Sequence, residues 1–242
     1  MKISRITSLT AVTFFALAAF FAVFAEQSPG GFVKENIKWL GHDTFRIEYF
    51  KKIIYTDPFK ISRNEKADII LITHEHYDHF SKDDIAKISG ENTVIISTPK
   101  VIEQCKSGKK TALLPGESTE IDGIKIEAIP AYNINKRYHP MEDKKLGFII
   151  NLGNMRIYHA GDTDLIKEME KLGNISIALL PVGGTYTMTA AEAVTAAKKI
   201  KPRVAIPMHY GSVVGSKEDA LKFKEGLKDE PGIEVLILPL EK

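Results

Sequence analysis

The sequence contains little cysteine and has a small net charge, and each of these features excludes a class of protein. A single cysteine, Cys105, among 242 residues rules out an intramolecular disulfide. It lies apart from every motif described below, which indicates a structural residue rather than a catalytic thiol. A net charge of +2 at pH 7 gives no reason to expect nucleic-acid binding. Short-period repeats and low-complexity tracts are absent, and the length and the 44% of hydrophobic residues suit one large domain.

Long apolar runs are missing from the sequence except near its start. Residues 1–10 carry Lys2 and Arg5, residues 11–24 are almost entirely Ala, Phe, Val and Leu, and small or tolerated residues lead to Glu26. This is the layout of a secretory signal peptide, and its apolar run is shorter than the roughly 20 residues of a membrane span. We expect a signal peptide over residues 1–25, one domain over residues 26–242, and a periplasmic or extracellular protein with no stable membrane span after cleavage. An uncleaved N-terminal anchor is the alternative.

The most informative stretch is Thr73–Phe80, which reads Thr-His-Glu-His-Tyr-Asp-His-Phe and holds three of the seven histidines. His74 and His76 are two residues apart, so in an extended segment they point to the same side and can bind one metal ion together. Asp78 and His79 are adjacent and point elsewhere, towards a second ion. Imidazole nitrogen and carboxylate oxygen are ligands for zinc and related metals, which favours a metal site over a solvated polar loop.

The residues around this stretch place it between a strand and a helix. Residues 67–72 form an apolar, β-branched run that predicts a buried strand. Ser81 is typical of an N-cap, and Asp84 is expected to reach back to it in a capping box. Open α/β folds place their chemistry on such loops.

Several other strand-like runs end in polar or glycine-rich residues. The runs cover residues 52–56, 155–158, 175–180 and 203–206. They lead respectively to Asp57-Pro58, to His159 through Asp164, to Gly183-Gly184, and to His209-Tyr210-Gly211. The repetition indicates that one rim of a layered fold gathers a single site.

In these motifs the chain resembles metallo-β-lactamase superfamily hydrolases. It is most similar to the branch of ascorbate-6-phosphate lactonase-like proteins and N-acyl-phosphatidylethanolamine phospholipase D. The matching stretches run in the family's order: Gly41-His42-Asp43, Thr56-Asp57-Pro58, Thr73–Phe80, Gly161-Asp162-Thr163, Gly183–Met188 and His209-Tyr210-Gly211. The strand-rich first part and the alternating second part fit the fold that the resemblance implies. This is an αββα sandwich of two mixed β-sheets with helices on both outer faces.

The resemblance implies two metal sites with a shared ligand. The first site is held by His74, His76 and a third histidine, the second by Asp78, His79 and His209, with Asp162 bridging the two and Asp57 tying down the metal loop by hydrogen bonds. The third histidine must come from between residues 80 and 162, where only His139 and His159 lie. We favour His139, which ends a loop after the strand-like residues 124–129, and we interpret His159 as a packed histidine.

Further residues are candidates for the pocket. The resemblance places His42 in the pocket, where it would bind substrate or protonate a leaving group; a surface turn is the alternative. We expect His42 and Asp78 to act in catalysis. Tyr186 and Met188 are candidates for the pocket wall, while Thr189 is expected to cap a helix over residues 190–200.

The basic stretches 135–137 and 144–145 around His139 either are solvated loops or favour an anionic small-molecule substrate.

The expected cofactors are two divalent metal ions, zinc first, with manganese or iron also compatible with these ligands. Two adjacent dications lower the pKa of a bound water, so a metal-bridging hydroxide is expected to attack a lactone, ester or phosphodiester. The best-known class B β-lactamases have a cysteine in the second site, where this chain has Asp162, so antibiotic hydrolysis is not expected. The alternatives are an iron-binding redox protein and a non-catalytic metal-binding protein on the same fold.

Overall fold

The computed structural model describes residues 27–62, 65–106 and 108–241. The expected signal peptide falls outside these residues. In the part of the chain that is described, none of the helices combines the length and the apolarity needed to cross a bilayer.

The first half of the described chain forms a six-stranded mixed sheet whose strands lie side by side in chain order. The strands are β1 (Ile37–Gly41), β2 (Thr44–Tyr49), β3 (Lys52–Thr56), β4 (Ile69–Ile72), β5 (Val94–Ser97) and β6 (Lys109–Ala112). Strands β1 to β3 are antiparallel, and β3 to β6 are parallel.

The second half forms a seven-stranded mixed sheet, again with consecutive strands as neighbours. Its strands are β7 (Ser118–Ile121), β8 (Ile124–Pro130), β9 (Leu146–Leu152), β10 (Met155–His159), β11 (Ile177–Pro181), β12 (Val204–Met208) and β13 (Glu234–Val235). Strands β7 to β10 are antiparallel, and β10 to β13 are parallel.

Helices lie outside the sheets and begin where the sequence provides caps. They are α1 (Pro29–Asn36), α2 (Lys82–Ile88), α3 (Pro99–Ile102), α4 (Ala190–Ile200) and α5 (Lys217–Gly226), with 3₁₀ turns at Met141–Asp143 and Lys167–Lys171. Thr189 caps α4 in a reciprocal capping box with Glu192. Ser81 caps α2, as predicted, by accepting from the Asp84 N–H at 3.3 Å.

Asp84 does not complete the predicted capping box, because its carboxylate takes no hydrogen bond from the Ser81 backbone N–H. Its carboxylate instead accepts from the backbone N–H groups of Lys60 and Ile61, at 2.7 and 3.1 Å. The chain after β3 passes close enough to α2 to compete for Asp84, a tertiary contact that the local pattern does not reveal.

The alternation of side chains along the strands builds two apolar layers. In β4, Ile69 and Leu71 join the layer between the sheets, whereas Ile70 and Ile72 join a layer with Ile85 of α2. On the second sheet, α4 brings Ala193, Ala196 and Ala197 into the core. These alanines let the helix lie close to the strands. The two mixed sheets with helices on both outer faces confirm the predicted sandwich.

One apolar groove, of about 340 Å³, lies beside α1. Its lining includes Gln27, Phe32 and the turns at residues 49–50 and 152–155. These turns precede β3 and β10, whereas Asp57 and Asp162 follow those strands. The groove and the polar motifs therefore occupy opposite ends of the sandwich.

Candidate metal centre

Strands from both sheets deliver polar side chains to one edge of the sandwich. The motif of residues 73–80 follows β4, Asp162 follows β10 and His209 follows β12 directly. His139 lies in the long connection between β8 and β9. The carboxyl ends of these strands meet, so residues distant in sequence become neighbours.

His74, His76 and His139 form the first cluster. His76 Nδ1 lies 3.0 Å from His74 Nε2 and 3.1 Å from His139 Nε2. Neighbouring ligands on tetrahedral zinc, with Zn–N of about 2.0–2.1 Å, are separated by roughly 3.3 Å. The spacing therefore suits three ligands of one ion. His139, the histidine that we favoured as the third ligand, lies in this cluster.

Asp78, His79 and His209 lie in a second cluster, together with His42. His79 Nε2 is 3.8 Å from Asp78 Oδ2, and His42 Nε2 donates to the same Asp78 oxygen at 3.1 Å. One ligand atom from each of the four residues falls within 4.8 Å of the others.

Asp162 stands between the clusters. Its Oδ2 lies 3.4 Å from His139 Nε2 and 4.0 Å from His74 Nε2. Its Oδ1 lies 3.1 Å from His209 Nε2 and 3.4 Å from His79 Nε2. Each oxygen of one carboxylate thus faces a different group of histidines, which is the placement expected of a bridging ligand.

Behind the clusters, Asp57 fixes the orientation of two histidine rings. It accepts from the Thr73 N–H at 2.7 Å, from the Thr73 hydroxyl at 2.6 Å and from His79 Nδ1 at 2.8 Å. Because the Thr73 hydroxyl donates to Asp57, it accepts from His74 Nδ1 at 2.9 Å. His74 and His79 therefore both carry their proton on Nδ1 and direct Nε2 into the site. The predicted tying role of Asp57 is visible in these bonds.

Burial keeps the histidines of the first cluster in their neutral form. Burial lowers the pKa of His74 well below its usual value and that of His139 to about 4, and it lowers the pKa of His76 as well. Neutral imidazole is the form that binds metals. These three rings are therefore ready as ligands near pH 7.

In the second cluster, nearby carboxylates raise the pKa values of the histidines instead of lowering them. Burial alone would lower the pKa of His79 and of His209, but the Asp162 carboxylate, joined by Asp57 at His79 and by Asp43 at His209, raises both. The pKa of His209 rises to about 9, and that of His79 rises well above its usual value. Without a metal, protons here balance the buried carboxylates; a bound cation would replace them.

The unpaired buried atoms fit a cation at this place. His79 Nε2, His209 Nε2 and Asp162 Oδ1 make no well-aligned hydrogen bond among the described residues, although Asp162 Oδ1 lies 3.1 and 3.4 Å from the two nitrogens. Buried polar atoms without partners are costly, and these three converge on one another. The donor set therefore fits metal ions in both clusters.

Four residues of the site have left-handed backbones: His42, Asp57, His139 and His209 have φ values of 51°, 37°, 55° and 58°. Such conformations cost on the order of 1–3 kcal/mol for residues other than glycine and cluster at functional sites. Here they turn the chain sharply at strand and loop ends, which directs the side chains inward.

His42 is buried rather than on a surface turn, at 1% exposure. Burial lowers its pKa to about 4. Burial alone would raise the pKa of Asp78, but the hydrogen bond from His42 and the neighbouring histidines lower it to about 2. A neutral His42 therefore donates its Nε2 proton to an ionised Asp78.

The remaining residues singled out in the sequence lie either in the core or beside the cleft. His159 is fully buried and donates from Nε2 to the Asp43 carbonyl at 2.9 Å, in keeping with a packed histidine. Tyr186 lines a cleft over the clusters, whereas Met188 is fully buried in the core. Cys105 lies in the apolar layer under the first sheet, as expected of a structural residue.

Sequence reasoning missed Asp43. This carboxylate is fully buried, and neither oxygen has a hydrogen-bond partner in the described part of the chain. Its Oδ2 lies 3.8 Å from His79 Nδ1, and burial raises its pKa. Its place after Gly41-His42 was the available signal, but the conformation of the turn between β1 and β2 decides which way it points.

Comparisons with known proteins identify the family that the chain matches. The family described as "Beta-lactamase superfamily domain" matches residues 36–209, well over half of the chain. A UPF0173 metal-dependent hydrolase of Thermoplasma acidophilum is 38% identical over 224 residues, which cover 86% of this chain and 98% of the relative. Another from Pyrococcus abyssi is 37% identical over 217 residues, covering 83% and 96%.

A crystal structure from Parabacteroides distasonis has a similar fold. It is 37% identical, with a TM-score of 0.76 over 85% of this chain and 93% of that one. The names of these relatives mention neither the lactonase nor the phospholipase branch, so that finer assignment stays a prediction. The fold, the clusters and the relatives together show that the chain belongs to the metallo-β-lactamase superfamily and is a metal-dependent hydrolase.

Proposed function

We propose that this protein is an exported hydrolase with a dinuclear metal centre that cleaves a lactone, ester or phosphodiester bond of a small molecule. One observation carries the dinuclear proposal. The two carboxylate oxygens of Asp162 face separate histidine clusters, at 3.1–3.4 Å from the nearest ring nitrogens.

The residues of the site are assigned to two metal positions. His74, His76 and His139 would hold one ion, Asp78, His79 and His209 the other, and Asp162 both. When bound, two such ions supply Lewis acidity and a water of lowered pKa as the nucleophile. Zinc suits this nitrogen-rich set, and manganese or iron is also compatible.

Asp78 and His42 are proposed to act as a pair. Asp78 lines the cleft, so it can contact the substrate or the attacking water. His42 lies behind Asp78 and holds its carboxylate by the 3.1 Å hydrogen bond. We assign His42 as a positioning residue rather than as the proton donor for a leaving group, because burial keeps it neutral near pH 7.

Elemental analysis of the purified protein, run beside matched lactone, ester and phosphodiester substrates, tests the proposal. We expect two metal ions per chain and hydrolysis of at least one of the three classes. A single ion per chain after saturation with zinc would contradict the dinuclear centre. Two ions with no hydrolysis of any class would contradict the substrate assignment.

Export is tested separately by expressing the full chain in a bacterial host and separating the cellular fractions. We expect the protein in the periplasm or the medium, with residues 1–25 removed. Retention in the cytoplasm with an intact N-terminus would contradict the proposal.

A further inference from the structure

The opening above the metal centre is lined by aromatic side chains. A cleft of about 240 Å³ is bounded at its base by His76, Asp78, His139 and Asp162, and at its sides by Tyr77, Tyr138, Tyr186 and Val213. We call the three tyrosines the tyrosine rim. Anything that reaches the metal ligands through this cleft passes the rim.

The rim has two walls that come from different parts of the fold. Tyr77 projects from the metal loop of the first sheet, with 67% of its surface exposed, and its ring lies 5.9 Å from that of Phe59. Tyr138 belongs to the loop that carries His139, is 46% exposed, and packs edge-to-face on Tyr186 at 5.0 Å. Two exposed tyrosines that line the same cleft are well placed to contact a ligand, since aromatic side chains supply large contact areas at binding sites.

Among the described residues, no lysine or arginine lines this cleft. Two of the lysines near His139 pair with carboxylates outside the cleft. Lys136 Nζ lies 2.5 Å from Asp164 Oδ1 and 2.8 Å from the Thr187 carbonyl. Lys145 is buried and paired with Glu75 and Asp143, at 3.3 and 3.4 Å. The metal centre would therefore receive the scissile group, while the part of the substrate beyond it meets tyrosines.

We infer that the tyrosine rim determines specificity and selects substrates whose scissile bond carries an uncharged aromatic group rather than a second anionic group. The inference deepens the proposed hydrolase function and rests on it. An aromatic ring between Tyr77 and Tyr138 would gain offset or edge-to-face contacts on both sides. A carboxylate in the same place would lose water without gaining a cation.

A pair of lactones with the same ring tests the inference on the metal-loaded enzyme: γ-phenyl-γ-butyrolactone and γ-carboxy-γ-butyrolactone. We expect kcat/KM to favour the phenyl lactone by about tenfold, the scale of one or two aromatic contacts. Tyr77→Ala and Tyr138→Ala should each lower kcat/KM for the phenyl lactone by roughly 3- to 10-fold and leave the carboxy lactone within about twofold. Tyr→Phe at either position should keep the preference, because it keeps the ring.

Phe50→Ala is the matched control, because Phe50 is an exposed aromatic residue beside the groove at the other end of the sandwich. It should leave both lactones unaffected. Equal hydrolysis of the two lactones by the wild type, or equal loss on both in the tyrosine variants, would overturn the inference.

A binding measurement separates this inference from the proposed function. The lactam 5-phenyl-2-pyrrolidinone has the shape of the phenyl lactone but resists hydrolysis. We expect it to bind the metal-loaded protein more tightly than 2-pyrrolidinone-5-carboxylate, and Tyr138→Ala to remove the difference. Selective lactam binding without lactone hydrolysis would contradict the hydrolytic substrate but keep the rim, whereas lactams that bind equally would overturn the rim.

Discussion

At the scale of single residues, the site places three kinds of side chain in layers. The histidines and Asp162 converge on the cation positions, Asp57 and Thr73 fix the rings from behind, and the tyrosines line the approach. Substituting a residue that faces the cation positions should therefore reduce metal content more than substituting a residue that only orients the ligands.

His76→Ala should lose most of the bound metal and the hydrolytic activity without unfolding the protein. His76 is half-buried and offers Nδ1 to the first cluster, so its loss leaves two histidines and the shared Asp162 there. Metal content and circular dichroism of the purified variant test this. Lys82→Ala, at an exposed position on α2, is the control and should keep its metal. A fully active, metal-replete His76→Ala protein would refute the site assignment.

Asp57→Asn should weaken metal binding less, by about 10- to 100-fold, as is typical of groups that orient ligands. The amide keeps the volume of Asp57 but cannot accept from the Thr73 hydroxyl, the Thr73 N–H and His79 Nδ1 together. Zinc affinity measured by competition with a chelator is the readout. Unchanged affinity would show that these hydrogen bonds do not orient the ligands.

Metal affinity should depend on pH through the second cluster. A proton on His209, whose pKa is raised to about 9, and one on His79 must leave before a cation binds. Zinc affinity should therefore rise as the pH increases from 6.5 to 9, with a smaller rise in His209→Ala. Chelator competition across this range measures both slopes. A rise of the same size in the variant would contradict the role given to His209.

At the scale of elements, the strands were predictable where apolar β-branched residues form short runs. The predicted run at residues 52–56 coincides with β3, and the other predicted runs overlap β4, β8, β10, β11 and β12. The predicted runs have no counterpart to β1, β2, β5, β6, β7, β9 and β13. For the edge strands β6 and β7 the reason is that Lys109–Ala112 and Ser118–Ile121 are largely polar and exposed, and carry little of the burial signal on which periodicity depends.

The conformation of the loop that carries His139 could not be predicted from the sequence, because contacts with distant residues determine it. Asp164 accepts from the Ile134 N–H at 2.8 Å and pairs with Lys136, while Asn133 donates to the Tyr186 carbonyl at 2.7 Å. These bonds link residues about 30 to 50 positions apart, beyond the reach of local patterns.

Asp164→Asn should therefore act on the metal centre from a distance. The amide cannot accept from both Ile134 and Lys136 as the carboxylate does, so the loop loosens and His139 is held less firmly. We expect zinc affinity to fall by roughly tenfold, at the lower end of effects from groups behind ligands. Asp122→Asn, which alters the exposed pair with Lys52 at 2.7 Å, is the matched control and should leave affinity unchanged. Equal zinc affinities in the two variants would show that Asp164 does not hold the loop that carries His139.

At the scale of the whole molecule, the sandwich was predictable because the family motifs lie along most of the chain in order. The predicted ligand set came from the same resemblance, and the geometry brings all seven candidate ligands together. The buried position of Asp43, the contacts of Asp84 and the assembly of the tyrosine rim were not predictable. Each depends on how separate segments meet, which only the folded chain defines.

Chelation should destabilise the protein more at pH 9 than at pH 6.5. A histidine whose pKa is raised by folding adds stability that is complete below its unfolded pKa of about 6.5 and is lost as the pH rises through the folded pKa. His209, at about 9, and His79 behave in this way when no metal is bound. The metal-free protein should therefore lose stability over this interval, while bound cations protect the loaded protein.

Thermal melts of loaded and chelated protein at the two pH values measure this effect. The difference in Tm should widen at the higher pH. A difference that narrows would mean that the second cluster does not hold its histidines charged in the absence of metal.

The groove beside α1 has a practical consequence for handling the enzyme. Gln27 lines that groove, and β3 and β10 run from its end of the sandwich to the metal ligands. Five residues at about 3.3 Å each place the two ends some 17 Å apart. A protein fused ahead of residue 27, or a bead to which that end is attached, would join the domain on the side away from the cleft. Immobilising the enzyme through this end should leave the tyrosine rim facing the solution, with turnover close to that of the free protein.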